Sequence, residues 1–172
     1  MKKLNLLIVA SIILLSSAFV AYKSINWKVK DDYYIQVYKG GAKCITFSGL
    51  KAVIEFDEEH PEKSKISATI DSNPIVDHND ALREGAKKAE TLDVEKYPLI
   101  SFESTVVTKK DNGYEATGNL TLKGITKEIK LPFTFVNEVF IGGFTIDAKD
   151  FNITNVNFQH QLNIVLNIPV TK

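Results

Sequence analysis

The chain has 172 residues, 44% hydrophobic and 24% charged, enough for one packed domain with or without a short appendage and against wholesale disorder. Lysine plus arginine equals aspartate plus glutamate at 21 each, so the basic excess with which nucleic-acid binders meet phosphates is missing. A single cysteine excludes an intramolecular disulfide and a Cys-rich zinc site, and three histidines are too few for most His-based metal sites.

Met1-Lys2-Lys3 is a short positive start. Leu4 to Leu15 is apolar apart from Asn5 and Ser11, and Ser16-Ser17-Ala18 supplies small residues. That is the tripartite pattern of a secretory signal peptide over residues 1–18, followed by a domain over residues 19–172. The apolar run from Leu6 to Ala21 is 16 residues, short of the roughly 20 that a spanning helix needs; an uncleaved anchor is the alternative. Removal of Lys2 and Lys3 would leave 19 basic against 21 acidic side chains. The compact leader looks bacterial, so the expected location is the periplasm or the exterior. Cys44 would have no partner there, and it reads as a buried, inert thiol within the apolar stretch Ala42 to Phe47.

Beyond the leader the chain alternates with period two, the mark of half-buried strands. Val29, Asp31, Tyr33, Ile35 and Val37 share one face of the first expected strand. Lys43 to Phe56 reads as one long bent strand with Gly49 as its kink, and Leu50, Ala52, Ile54 and Phe56 share a face. Ile66, Ala68 and Ile70 follow. Asn79 to Leu92 breaks the rhythm: Ala81, Leu82, Ala86, Ala89 and Leu92 fall at helical spacing, with Asp77 or Asn79 as N-cap. Tyr97-Pro98 returns the chain to strand, with Ile100, Phe102, Ser104 and Val106 on one face. Tyr114 to Leu122 and Ile125 to Phe135 alternate next, Phe144 and Ile146 open another segment, and Phe158 to Val170 closes the chain. Asp111-Asn112-Gly113, Gly124 and Gly142-Gly143 are the expected reversals. About eight antiparallel strands result. They can hide one apolar face by closing into a barrel or by stacking as a sandwich. Periodicity leaves open whether the large inward groups fill the interior or surround a cavity.

Catalytic chemistry is not evident. No nucleophile elbow and no phosphate loop occurs. Asp57-Glu58-Glu59-His60 reads as a solvated loop rather than a metal site, and His78 as an exposed residue before the helix. His160 falls on the apolar face of the last strand, as a hydrogen-bonded core residue or the one polar group of a pocket. The expectation is a binding protein for an apolar ligand, with neither catalytic residues nor a metal and no cofactor.

Several segments together resemble the YceI-like family of bacterial secreted proteins. Tyr97-Pro98-Leu99-Ile100-Ser101-Phe102-Glu103-Ser104-Thr105 is similar to that family's Pro-led strand. Gly118 to Lys127 resembles its G-x-L-T-I-K-G-V-T-K hairpin, and Ile146 to Ile153 its late strand and turn. Asp31-Asp32-Tyr33-Tyr34 stands where the family has an early His-Ser motif. The resemblance implies an all-β fold, an eight-stranded antiparallel lipocalin-like barrel with one short helix near residues 79–92. It also implies a tunnel for an isoprenoid or similar lipid, lipid carriage or storage, and a periplasmic location. The expected ligand contacts are Phe102, Leu120, Leu122, Ile129, Leu131, Phe133, Phe144, Ile146, His160, Leu162, Ile164 and Leu166. The expected partner is a long-chain apolar lipid. Membrane contact for transfer and a dimer stay open. The alternative is a filled barrel that meets a protein partner and takes no lipid.

Overall fold

Ten strands build one sheet in a computed structural model that describes residues 25–75, 80–154 and 160–172. The leader, the N-cap candidates Asp77 and Asn79, His78 and Phe158 lie outside the described residues. The strands are β1 (Asn26–Val29), β2 (Tyr34–Lys39), β3 (Ala42–Phe47), β4 (Lys51–Glu55), β5 (Lys65–Asp71), β6 (Leu99–Lys110), β7 (Gly113–Leu122), β8 (Ile125–Val136), β9 (Val139–Asp147) and β10 (Gln161–Thr171). All their pairings are antiparallel. The order β1-β4-β5-β6-β7-β8-β9-β10 returns on itself, because β1 also pairs with β10 through Lys28 with Thr171 and Val29 with Val170. β2 continues β1 along the same edge of β10, and β3 runs on into β4. Counting each bent pair once gives a closed barrel of eight strands.

Two kinks face each other across the first hairpin. The expected single strand from Val29 to Val37 is broken by a turn at Asp31-Asp32. Opposite it, Gly49 takes φ +70, as expected for the bend between β3 and β4, and the Asp71 carboxylate occupies the space a Cβ there would need. The ladder hydrogen bond lost at the double kink is replaced: the Leu50 N–H donates to the Tyr33 hydroxyl at 2.9 Å.

Three expectations need correction. Gly142-Gly143 is no turn; both lie inside β9, and the reversal falls at Asn137-Glu138, whose φ values of 51° and 60° match the two-residue hairpin geometry. Val106 faces outward at 38% exposure while Val107 is fully buried, because Thr105 is an extra residue between the paired positions Ser104 and Val106. One inserted residue flips every later side chain to the other face. The helix is shorter than its apolar spacing suggests: α1 covers Asp80–Ala86 and stops just after Gly85. The Thr91 hydroxyl donates to the Gly85 and Lys88 carbonyls, which ends the helix and turns the chain toward β6.

The interior divides into two clusters at opposite ends of the strands. β7 runs from Tyr114 in one to Leu122 in the other. The first is aromatic. Phe56, 1% exposed, sits at its centre with ring centroids 5.0 Å from Tyr114, 5.6 Å from Phe133, and 5.2 Å from both Phe135 and Phe140. All four contacts are edge-on, the arrangement the ring quadrupoles favour. The Trp27 indole N–H donates to the Phe56 carbonyl at 2.9 Å and holds the strand end in place. The second cluster joins Leu122 and Ile146 to Ala148, Phe151 and Ile153, which follow β9.

Replacing Phe56 by Ala should lower unfolding stability by about 3–5 kcal/mol, since four rings lose their common partner; urea titration followed by the emission of Trp27 measures it. Burial pushes the Tyr114 hydroxyl above its ordinary pKa, and the Glu58 and Asp57 carboxylates act in the same direction. A raised phenol pKa leaves stability intact below the unfolded value of about 10 and removes it as pH rises beyond that. Stability should therefore fall in strong alkali, and Tyr114→Phe should lessen the fall in denaturant melts across that range.

Candidate ligand-binding cavity

Inward residues of nine strands surround a cavity of about 210 Å³. That is more than ten times the space of roughly 10–15 Å³ that one water needs. Among the described residues no charged side chain lines it, and the lining residues with polar side-chain atoms are Cys44, Thr69 and Ser101. Strand alternation turns Thr69 and Ser101, a directly paired couple, away from inward-facing Ala68 and Ile100. Apolar cavities of this kind stay dry and admit apolar ligands. On β10 the lining runs from Leu162 to Ile168, about 20 Å along the strand and about 15 Å along a barrel axis tilted by roughly 40°. Spread over that depth, the volume makes a slender channel.

Small inward residues at mid-height create the space. Ala52 and Ala68 line it from β4 and β5. Gly142 on β9 pairs with Phe133 and Leu166, and a Cβ there would lie 2.7 Å from the Pro132 carbonyl oxygen. The end of the Phe102 ring lies across Gly118, where a Cβ would come within 2.7 Å of it. Filled and open interiors, alternatives in the alternation pattern, therefore coexist: the aromatic end is packed and the rest is open.

Eleven of the expected contacts line this cavity: Phe102, Leu120, Leu122, Ile129, Leu131, Phe133, Phe144, Ile146, Leu162, Ile164 and Leu166. His160 does not. β10 starts one residue later, and the His160 carbonyl accepts the Ala148 N–H at 2.7 Å, so its main chain anchors a turn instead. Cys44 is half-buried rather than buried, and it does line the cavity. Tyr38 pairs with Lys43 and Val37 with Ile45, which leaves Cys44 as the extra residue of a bulge. Its thiol meets the Ala42 carbonyl at 3.4 Å. The Asp57–His60 segment is a loop, with the Ser64 hydroxyl accepting the Asp57 N–H and the Asp57 carboxylate accepting that of Glu59.

The first strands also contribute Ile35, Val37, Phe47, Leu50 and Ile54, and β5 and β6 add Ile66, Ile70 and Ile100. Their alternation was as legible as that of the later strands. Leu92 and Ile153 carry no such signal, since neither lies in a strand.

Those two residues roof the cavity at the end away from Phe56. Leu92 follows α1, and Ile153 follows a single 3-10 turn over Ala148–Phe151 that the Asp147 carboxylate caps by accepting the Lys149 N–H. Lys123, at the tip of the β7–β8 hairpin, ties both to the barrel: its ammonium donates to the carbonyls of Ala89 and, at 2.6 Å, Asn152. The Thr154 N–H donates to the Glu90 carbonyl and joins the two roof segments directly. Lys123 and Gly124 form the two-residue turn at φ 53° and 72°, and Gly124 packs against the Tyr97 ring.

A closed antiparallel barrel around an apolar cavity packed shut at one end defines a lipocalin-like binding protein. A family model for the YceI-like domain matches residues 21–170, and the chain belongs to that family. It is 39% identical over 120 residues to a UPF0312 protein of Pectobacterium atrosepticum, covering 63% of this chain and 62% of that one. The match thus spans about three-fifths of that relative's length. It is 34% identical over 141 residues to Protein YceI of Salmonella newport, covering 76% and 70% of the two chains. Among solved structures, Burkholderia cenocepacia BcnA superposes with a TM-score of 0.77 at 19% identity, over 84% of this chain and all of that one. The Campylobacter jejuni YceI protein superposes with 0.59 at 18% identity, over 100% and 99%. At such identities these two structures speak for the fold.

Lys123→Ala should loosen the roof and leave the barrel intact. Losing its two hydrogen bonds costs about 1 kcal/mol or more in total, so the Ile153 and Thr154 amides should exchange roughly fivefold faster or more. Hydrogen exchange read by mass spectrometry tests this, with an unchanged urea midpoint as the control.

Proposed function

We propose that the protein is an exported carrier that holds the chain of an isoprenoid or similar lipid inside the barrel. The cavity carries this reading: a slender apolar channel with no charged side chain among the described residues of its wall. Such a wall offers nothing to orient a polar ligand, so recognition rests on shape and on apolar area. Each buried methylene contributes about 0.8 kcal/mol, which lets a hydrocarbon chain bind tightly with few polar contacts. Family membership and the lipocalin-like barrel support a binding role. Periplasmic or secreted location is part of the proposal and rests on the leader pattern of Met1 to Ala18. Binding, with no chemistry performed on the lipid, is the role that fits this wall.

Native mass spectrometry of protein purified gently from the exported fraction, followed by organic extraction, tests the proposal. The expected result is a non-covalent adduct that extracts as a prenyl lipid. Ala68→Phe, which fills the channel at mid-height, should remove the adduct and leave the fold intact. A bare protein mass that takes up no added prenyl lipid would overturn the reading.

A further inference from the structure

We infer that Phe133 and Phe140 act as a ruler, setting the length of chain the barrel accepts. The inference rests on the lipid reading above and concerns what that lipid must be. The channel has one blind end. Its floor is formed by Phe133 and Phe140, whose ring centroids lie 5.7 Å apart, with Ile54 and Ile168 of the same cluster beside them. Both rings are backed by Phe56, at 5.6 Å and 5.2 Å, and Phe56 itself does not line the channel. Val107 and Val170 in the same cluster are 0% exposed. These packed side chains close that end, so a chain that enters from the roof end must stop on the two rings.

Gly142, paired with Phe133, carries no side chain at this level, and a Cβ there would press on the Phe133 Cβ at 3.0 Å and the Leu166 Cδ1 at 3.4 Å. Leu166, paired with Gly142 across the ladder, forms the wall at that level. Depth is therefore bounded at the floor by packed aromatics and at the other end by the roof residues Leu92 and Ile153. Each methylene that fits inside is worth roughly fourfold in affinity. Each one beyond the floor's limit must stay near the mouth, in water, and adds nothing. Affinity should rise with chain length and then level off.

Displacement of bound N-phenylnaphthylamine by geraniol, farnesol, geranylgeraniol and solanesol measures that limit. For the natural protein the expected result is rising affinity that reaches a plateau within the series. Phe140→Ala should move the plateau to a longer alcohol, tightening the first chain beyond the natural limit by about tenfold or more relative to geraniol. Leu166→Phe, which raises the floor, should move it to a shorter one. Phe140→Leu serves if the alanine variant does not fold, with Trp27 emission as the folding control. An unmoved plateau in folded variants that still bind would overturn the ruler and leave the lipid reading standing. A natural protein from which no alcohol displaces the probe would overturn both.

Discussion

The barrel depends on the ring of Phe56. It sits just past the end of β4, yet it touches rings from β7, β8 and β9, so one side chain unites four strands of the closed sheet. Aromatic rings pack at high density and resist compression, which turns that end of the barrel into a solid. Trp27 extends the solid to β1 through its bond to the Phe56 carbonyl and its edge contact with Phe135, centroids 5.0 Å apart. With one end rigid, the other can remain hollow without loss of the fold. The distribution of side-chain size along each strand, aromatic at one end and aliphatic or absent at mid-height, divides support from cavity.

The hollow end is held differently. Its cover consists of irregular chain, and irregular chain carries carbonyls that strands cannot satisfy. Lys123 meets two of them, and main-chain bonds from Thr154 and Ala148 join the remaining pieces. The Lys123 bonds lie at the surface, in contrast to the buried rings at the far end. Resistance to opening is thus graded along the barrel axis. A ligand that enters or leaves has a mechanical reason to use the roof end.

Much of this arrangement was legible in the amino-acid sequence, for a simple reason. Strand alternation is a local property, and the closed barrel follows from many amphipathic strands with short links. Eleven cavity residues therefore stand out from the alternation alone, as does the kink at Gly49 from its place between two alternating runs. The failures have equally specific causes. Thr105 inserts a residue into β6 and reverses the alternation, which no local pattern announces. Gly142-Gly143 looks like a turn because glycine serves turns, but at Gly142 a side chain would collide with the neighbouring strand. Leu92 and Ile153 reach the cavity through tertiary packing of turns. His160 lies on the right alternation, but its strand begins one residue too late to carry it inward.

The closure between β1 and β10 has a consequence in time. Lys28 meets Thr171, so the seam joins nearly the first described residue to nearly the last. Contacts this distant along the chain are the slowest to form, since the full loop entropy must be lost before they contribute. A polypeptide made from its N-terminus cannot seal this barrel until β10 has been made. Until then Trp27 and the strand edge that β10 will cover wait unpaired. The growing chain thus remains an open sheet, still able to be threaded or held by a chaperone, until β10 has emerged.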